Sequence, residues 1–165
     1  RAGIPVFSPY ESEMERQVRS YGEFVIRSFP LVHDVPCYGF LICHPETGKV
    51  LYASDTEYIK YRFRNLNHIL IECNYSKELI PEDAVNRSHV MTGHMELQTT
   101  LDFLRTNNNP NLRSVILLHI SARNSDPDEF VAETGKVVQC PVWASEKWLE
   151  VDLLLSSGKG DLHGI

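Results

Sequence analysis

The sequence lacks any paired-cysteine motif and any long apolar run. Its four cysteines are scattered without a CxxC pair, which argues against a zinc knuckle and favours free thiols in a reducing compartment over a disulfide framework. No segment approaches the ~18 apolar residues of a membrane span. The first residues show no charged region followed by an apolar stretch, as a secretory signal peptide would. We therefore expect a cytoplasmic protein that makes no membrane contact.

Basic charge is also scarce. Sixteen Lys and Arg residues face 22 Asp and Glu residues, for a net charge of -6, which argues against a general polyanion binder but not against a local basic patch. No GxxxxGK[ST] element lies between a strand and a helix, so a phosphate-cradling loop of that type is excluded.

The length and composition that are present suit one globular domain. A chain of 165 residues with 42% hydrophobic residues and a mean hydropathy of -0.24 can bury about 70% of the surface that its unfolded form exposes. We expect this domain to span residues 1–155. The small, polar segment 156–165 is expected to form a flexible tail.

Hydrophobic patterning predicts alternating strands and helices, an α/β fold. A β-meander is expected over FVIRSF, YGFLI and the segment 50–53. Strands buried on both faces are expected over HILIE and SVILLH. Helices are expected over 95–106, where leucines recur at helical spacing, and after the capping residue Asp126. A short helix after Asp55 and strands over 137–142 and 148–155 complete the prediction.

Polar side chains at the ends of these strands are the most informative feature. His33, Asp55, His94 and His119 each fall at a junction of a strand or helix with a loop, where a rigid ladder can fix a ligand at an open edge. Each has an ordinary interpretation when taken alone. Asp55 could be a helix N-cap, and a single histidine is more often a hydrogen-bonded structural residue. Four such junctions together favour a metal or acid/base site.

The order of these motifs resembles a known superfamily. The motifs that carry the resemblance are, in order, H-x-x-P-x-x-G-[FY], S/T-D-T after an apolar strand, Glu72-Cys73-Asn74-Tyr75, G-H-M/L, and H-x-S-x-x-N after another strand. With these motifs the sequence resembles the C-terminal half of metallo-β-lactamase-fold hydrolases. Within them it most resembles the phosphodiesterase and nuclease branch of tRNase Z and the WalJ exonuclease-like proteins. The resemblance implies one half of a four-layered αββα sandwich.

The resemblance also implies roles for individual residues. His33 would be a ligand of one of two divalent ions, zinc or manganese, Asp55 would bridge both, and His119 would bind the second. His94 would be catalytic, protonating the leaving oxygen or stabilising its charge. The implied reaction is metal-dependent phosphodiester hydrolysis of a nucleic-acid end. Side chains next to His119 would bind the substrate phosphate, although a polar strand exit explains them equally well: Ser121, Arg123 and Asn124.

The superfamily's HxHxDH signature, which supplies most ligands of both metals, occurs nowhere in the sequence. We expect the isolated chain to have an incomplete site, with the N-terminal half of the domain supplied by another chain or by further sequence, or by a homodimer partner. Two alternatives remain open. One is a cyclic-nucleotide phosphodiesterase of the same superfamily, which the acidic net charge favours. The other is a non-catalytic half-domain that needs a partner chain.

One further motif interleaves basic and aromatic residues after Asp55, over residues 58–64. It could grip a phosphate backbone and stack bases. A solvated amphipathic helix is the ordinary interpretation of the same residues.

Overall fold

A computed structural model describes residues 6–11, 18–82 and 92–155. Seven strands form one mixed sheet in chain order: β1 (Val18–Tyr21), β2 (Phe24–Pro30), β3 (Tyr38–His44), β4 (Gly48–Ala53), β5 (His68–Glu72), β6 (Ser114–Leu118) and β7 (Val142–Ala144). The first four strands pair antiparallel, and β4 to β7 pair parallel. Among the described residues, two α-helices, α1 (Leu97–Asn107) and α2 (Pro127–Gly135), connect the parallel strands, and short 3-10 turns lie at Pro9–Glu11 and Lys77–Leu79.

Both helices pack on the same face of the sheet, which we call the helix face. Its core joins Leu51 of β4, Ile69 of β5 and Leu117 of β6 to Leu104 of α1 and Phe130 of α2, each fully buried. Leu51 is paired with Ile69, and Leu117 is paired with Ile71, which lies two positions after Ile69. The three strand residues therefore share one side of the pleat. The parallel strands are thereby held in one register, and their carboxyl ends meet at one edge.

Among the described residues, extended segments and a short 3-10 turn cover the opposite face of the sheet. Leu70, Ile116 and Leu118 meet the segment 149–155 around a cavity of about 250 Å³, and Phe7 contacts the ring of Phe40 edge-on. Tyr52 keeps 39% of its surface exposed. This face is therefore largely apolar, and no helix of the described residues packs on it.

The predicted meander, the two buried strands and both helices are confirmed. The predicted helix after Asp55 is wrong, since residues 57–66 form no regular element, and the predicted strand over 148–155 is wrong as well. The predicted strand over 137–142 is wrong except for its last residue, where β7 begins. The predicted tail 156–165 lies outside the described residues. No helix within the described part of the chain is long and apolar enough to cross a membrane.

Candidate metal centre

The carboxyl ends of three parallel strands bring the predicted site residues to one edge of the sheet. Asp55 follows β4, Glu72 ends β5 and His119 follows β6. His94 lies in the loop that precedes α1. Ligand sites of open α/β sheets form at this edge because neighbouring loops diverge there and leave room for a ligand.

Two of these residues adopt left-handed backbone conformations. Asp55 has a φ of 58° and His119 a φ of 55°, a region in which non-glycine residues are uncommon, although Asp and His tolerate it better than most. Such conformations cost free energy and cluster where a side chain must be aimed. Here each one turns the chain abruptly at the strand end and points a ligand-type side chain along the edge.

Glu72 is the hydrogen-bonding centre of the site. Its Oε1 atom accepts from Nδ1 of His94 at 2.8 Å and from Nδ1 of His119 at 3.1 Å. Its Oε2 atom accepts the backbone N–H of Thr56 at 2.7 Å. One fully buried carboxylate therefore fixes two imidazole rings and the turn that carries Asp55. In each ring Nε2 is the nitrogen that this carboxylate does not hold.

Burial raises the pKa of Glu72 from 4.5 to about 7. The Thr56 N–H and the charge of His119 oppose this shift, whereas the nearby charge of Asp55 adds to it. A fully buried carboxylate therefore lies close to a half-exposed one, an arrangement that a cation stabilises.

The ligand atoms of Asp55, His94 and His119 all lie within 4.8 Å of one another. Nδ1 of His119 is 3.2 Å from Oδ1 of Asp55, and the rings of His94 and His119 have centroids 4.9 Å apart. Imidazole and carboxylate donors suit zinc and manganese. Three protein ligands leave a coordination position for a substrate or water, as in catalytic rather than structural sites. The donor set therefore fits one divalent cation.

Comparisons with known proteins bear on the fold. No protein-family model matches the chain, and no curated protein matches its sequence significantly. The structure is similar to the metallo-β-lactamase fold protein YhfI from Bacillus subtilis, with a TM-score of 0.59 and 22% identity over 79% of this chain and 50% of that one. It is also similar to human tRNase Z, short form (ELAC1), with a TM-score of 0.54 and 16% identity over 86% of this chain and 48% of that one.

The chain has a metallo-β-lactamase fold. It spans about half the length of these two structures, so its single sheet and helix layer correspond to one half of the four-layered αββα sandwich. The fold predicted from the motifs is thereby confirmed. At these identities the likeness establishes the fold alone.

The metallo-β-lactamase fold of this chain places His33 beside the three-residue group but not within it. Its ring centroid is 5.8 Å from that of His94. Its Nδ1 donates to the carbonyl of Gly93 at 2.9 Å, and its Nε2 lies 3.2 Å from Asp34. Gly93 has a φ of 95°, and a Cβ atom there would come within 2.9 Å of the His33 ring. Glycine is therefore required for this contact, and the role of His33 as a ligand stays a prediction.

The three predicted substrate-binding residues form the turn after His119. The Ser121 hydroxyl accepts the backbone N–H groups of Arg123 and Asn124 at 3.4 and 3.2 Å, and the Asn124 carbonyl accepts the N–H of Ser76. Arg123 is exposed and is the member of the three whose side chain is available to a phosphate. Their role in substrate binding likewise stays a prediction.

Sequence reasoning assigned no role to Glu72 or Asn74, although both lie in the quoted Glu72-Cys73-Asn74-Tyr75 motif. The Asn74 side chain donates to the carbonyl of His119 at 2.6 Å, and its backbone N–H donates to the carbonyl of Met95. Asn74 thus links the loops that carry His119 and His94. A carboxylate that ends an apolar strand and is followed by an amide is the signal that could have found both.

Proposed function

We propose that this protein is a metal-dependent phosphodiester hydrolase, nuclease-like in its chemistry. The observation that carries the proposal is the group formed by Asp55, His94 and His119, with two of its imidazoles fixed by the buried carboxylate of Glu72. The similarity to a structure named tRNase Z supports the phosphodiester class.

In this proposal two divalent ions, zinc or manganese, bind at the edge. His33 would hold one ion, His119 the other, and Asp55 both, since the two oxygens of a carboxylate can each face a different cation. When bound, such ions supply Lewis acidity toward a phosphoryl group at neutral pH.

His94 would hold and deliver a proton. Its Nδ1–H is fixed on Glu72, and a carboxylate in that position stabilises the imidazolium form, as in acid/base pairs of other hydrolases. In this role the proton on Nε2 would pass to the leaving oxygen of the substrate, and His94 would then act beside the ions rather than as one of their ligands. The half-buried position of His94, with 22% of its side chain exposed, keeps the ring accessible from the edge.

Two ions require more ligands than the described residues bring together, because catalytic sites use about three protein ligands for each zinc. We propose that the second half of the domain, from the rest of the polypeptide or from a different chain, supplies them. Its sheet would cover the apolar face opposite the helices, where Phe24 and Tyr52 remain 44% and 39% exposed.

The substrate would be a nucleic-acid end, with a cyclic nucleotide as the second candidate because the net charge of -6 suits a small ligand. The test uses the polypeptide as encoded, loaded with Zn²⁺ or Mn²⁺. Turnover of a duplex DNA end, an RNA end, a cyclic nucleotide and bis(p-nitrophenyl) phosphate is then compared. We expect phosphodiester hydrolysis. His119→Ala should lower its rate by about 100-fold or more. His44→Gln should leave the rate unchanged, because His44 lies at the end of β3 that is away from the metal centre.

The outcome that would refute the proposal is the absence of turnover on all four diesters in a preparation shown to hold metal. Metal analysis of the same preparation separates hydrolysis from the rival interpretation as a non-catalytic half-domain. A folded polypeptide that retains no divalent ion after exposure to Zn²⁺ or Mn²⁺ would favour the rival.

A further inference from the structure

A cationic cavity lies on the helix face of the sheet, over its antiparallel strands. It has a volume of about 330 Å³ and lies between β2, β3 and β4 and the segment that connects β4 to β5. Four of its eight lining residues are basic and none is acidic: Arg27, Lys49, Arg62 and Arg64. In a chain with a net charge of -6, this local concentration of positive charge indicates a site for an anionic ligand.

The three arginines of the cavity are not neutralised by ion pairs with the part of the chain that the structure describes. Arg27, Arg62 and Arg64 take part in no ion pair within residues 6–11, 18–82 and 92–155. Lys49 lines the cavity although only 2% of its surface is exposed. The neighbouring Cys43 senses the same field, since burial raises its pKa while the charges of Lys49 and Arg27 oppose that rise.

The wall that carries two of the arginines is held rigidly. Phe29 of β2 contacts the rings of Tyr61 and Phe63 at centroid distances of 5.6 and 5.1 Å. The backbone N–H of Phe63 donates to Oδ1 of Asn107 on α1 at 2.7 Å. The aromatic residues of this segment are half-buried and the arginines between them are exposed, so the backbone that carries the two arginines is fixed while their guanidinium groups remain accessible to a ligand.

The cavity is distinct from the metal centre. Lys49 lies near the start of β4, whereas Asp55 lies beyond its end. An extended strand rises about 3.3 Å per residue, so roughly 13 Å of β4 separate Lys49 from Ala53 alone. A ligand bound among the arginines would therefore not reach the edge where Asp55, His94 and His119 meet.

We propose that the cationic cavity binds a small organic phosphate of mononucleotide size. Guanidinium groups match phosphate oxygens through paired hydrogen bonds. A volume of about 330 Å³ is at the lower end of the range for small-ligand sites, which is too small for a long polymer but adequate for one nucleotide. The half-buried rings of Tyr61 and Phe63 offer apolar surface to the organic part of the ligand. This site does not depend on the proposed hydrolase activity.

The test is calorimetric titration of the chain with AMP, inorganic phosphate and a ten-nucleotide single strand, all in EDTA so that the metal edge contributes nothing. We expect AMP to bind, and the double variant Arg62→Glu/Arg64→Glu to weaken its binding by at least about tenfold, since each lost charged hydrogen bond lowers affinity by that order. Arg113→Glu/Lys147→Glu makes the same change of net charge at exposed positions outside the cavity and should alter the affinity less than about twofold.

Two further measurements locate the binding. Backbone amide shifts on addition of AMP should concentrate at Phe29 and Leu41, and Arg27→Gln should weaken AMP on its own. Absence of AMP binding in the millimolar range, or equal binding by the Arg62→Glu/Arg64→Glu variant in folded form, would overturn the proposal. Equal affinity for inorganic phosphate and AMP, or much tighter binding of the ten-nucleotide strand, would overturn the assignment of a nucleotide-sized ligand.

Discussion

Replacing Glu72 by glutamine separates the part that this carboxylate plays in stability from the part it plays in metal binding. The carboxylate uses both oxygens, one for the imidazoles of His94 and His119 and the other for the N–H of Thr56. An amide has one acceptor oxygen, so in Glu72→Gln either Thr56 or the two rings face an NH₂ group. Leaving a buried donor unsatisfied costs about 1–3 kcal/mol.

The loss of the buried charge in Glu72→Gln should stabilise the fold by a similar amount. The pKa of Glu72 rises from 4.5 to about 7 on burial, which means that at pH 8 the ionised form costs about 3 kcal/mol relative to an exposed carboxylate. Glutamine carries no charge and avoids this cost. We therefore expect the free energy of unfolding of metal-free Glu72→Gln at pH 8 to stay within about 2 kcal/mol of the parent.

Metal affinity should respond differently. A carboxylate that fixes the tautomer and orientation of ligating imidazoles contributes about 10–100-fold to affinity, and here one carboxylate serves two rings. Competitive titration of Zn²⁺ against a chromophoric chelator, with urea unfolding on the same samples, measures both quantities. We expect a loss of about 100-fold in affinity with little change in stability.

Glu96→Gln is the matched control. Glu96 is also buried, but its side chain accepts the backbone N–H of Gln98 at the start of α1 and forms no hydrogen bond with the imidazoles of the metal centre among the described residues, so its variant should bind Zn²⁺ like the parent. Unchanged Zn²⁺ affinity in a folded Glu72→Gln protein would refute the conclusion that Glu72 organises the metal centre.

Three further predictions concern stability, each measured by urea unfolding. Gly93→Ala should lose about 1–3 kcal/mol because a side chain at a φ of 95° is strained and meets His33, whereas Gly135→Ala, with open space around it, should lose none; equal effects would contradict this. Burial lowers the pKa of His68 from 6.5, so the unfolded chain takes up the proton first and the contribution of His68 to stability should fall as the pH drops below about 6.5, opposite in sign to that of Glu72. His68→Gln should lose less stability than the parent on acidification, and an identical pH dependence of the two proteins would rule this out. Phe130→Ala should lose about 3–5 kcal/mol at a fully buried position, and a loss below about 1 kcal/mol would count against the described core.

The sequence pattern predicts the elements whose signal is local. Apolar runs identify β5 and β6, and the spacing of Leu97, Leu101 and Leu104 identifies α1. The helix expected after Asp55 was wrong because the partly buried residues there, Ile59, Tyr61 and Phe63, recur every second position. That period is typical of an extended segment lying on a sheet.

The role of Glu72 could not be predicted in the same way. Its partners lie 16, 22 and 47 positions away along the chain, and no local period links them. Residue type and position at a strand end indicate that Asp55 and His119 can ligate, since both stand at an open edge. The acceptor that orients an imidazole is chosen by tertiary packing, so it becomes visible only when β5 is placed between β4 and β6.

The strand β4 divides two opposed electrostatic environments. Its carboxyl end delivers Asp55 to the edge where the buried carboxylate of Glu72 is found, which attracts cations. Its opposite end carries Lys49 into a cavity lined with arginines, which attracts anions. Because each field decays within about 10 Å in physiological salt, and the strand keeps the two places farther apart than that, neither cancels the other. The net charge of -6 is thus an average that describes neither site, and ligand preference must be judged from the local charges around each one.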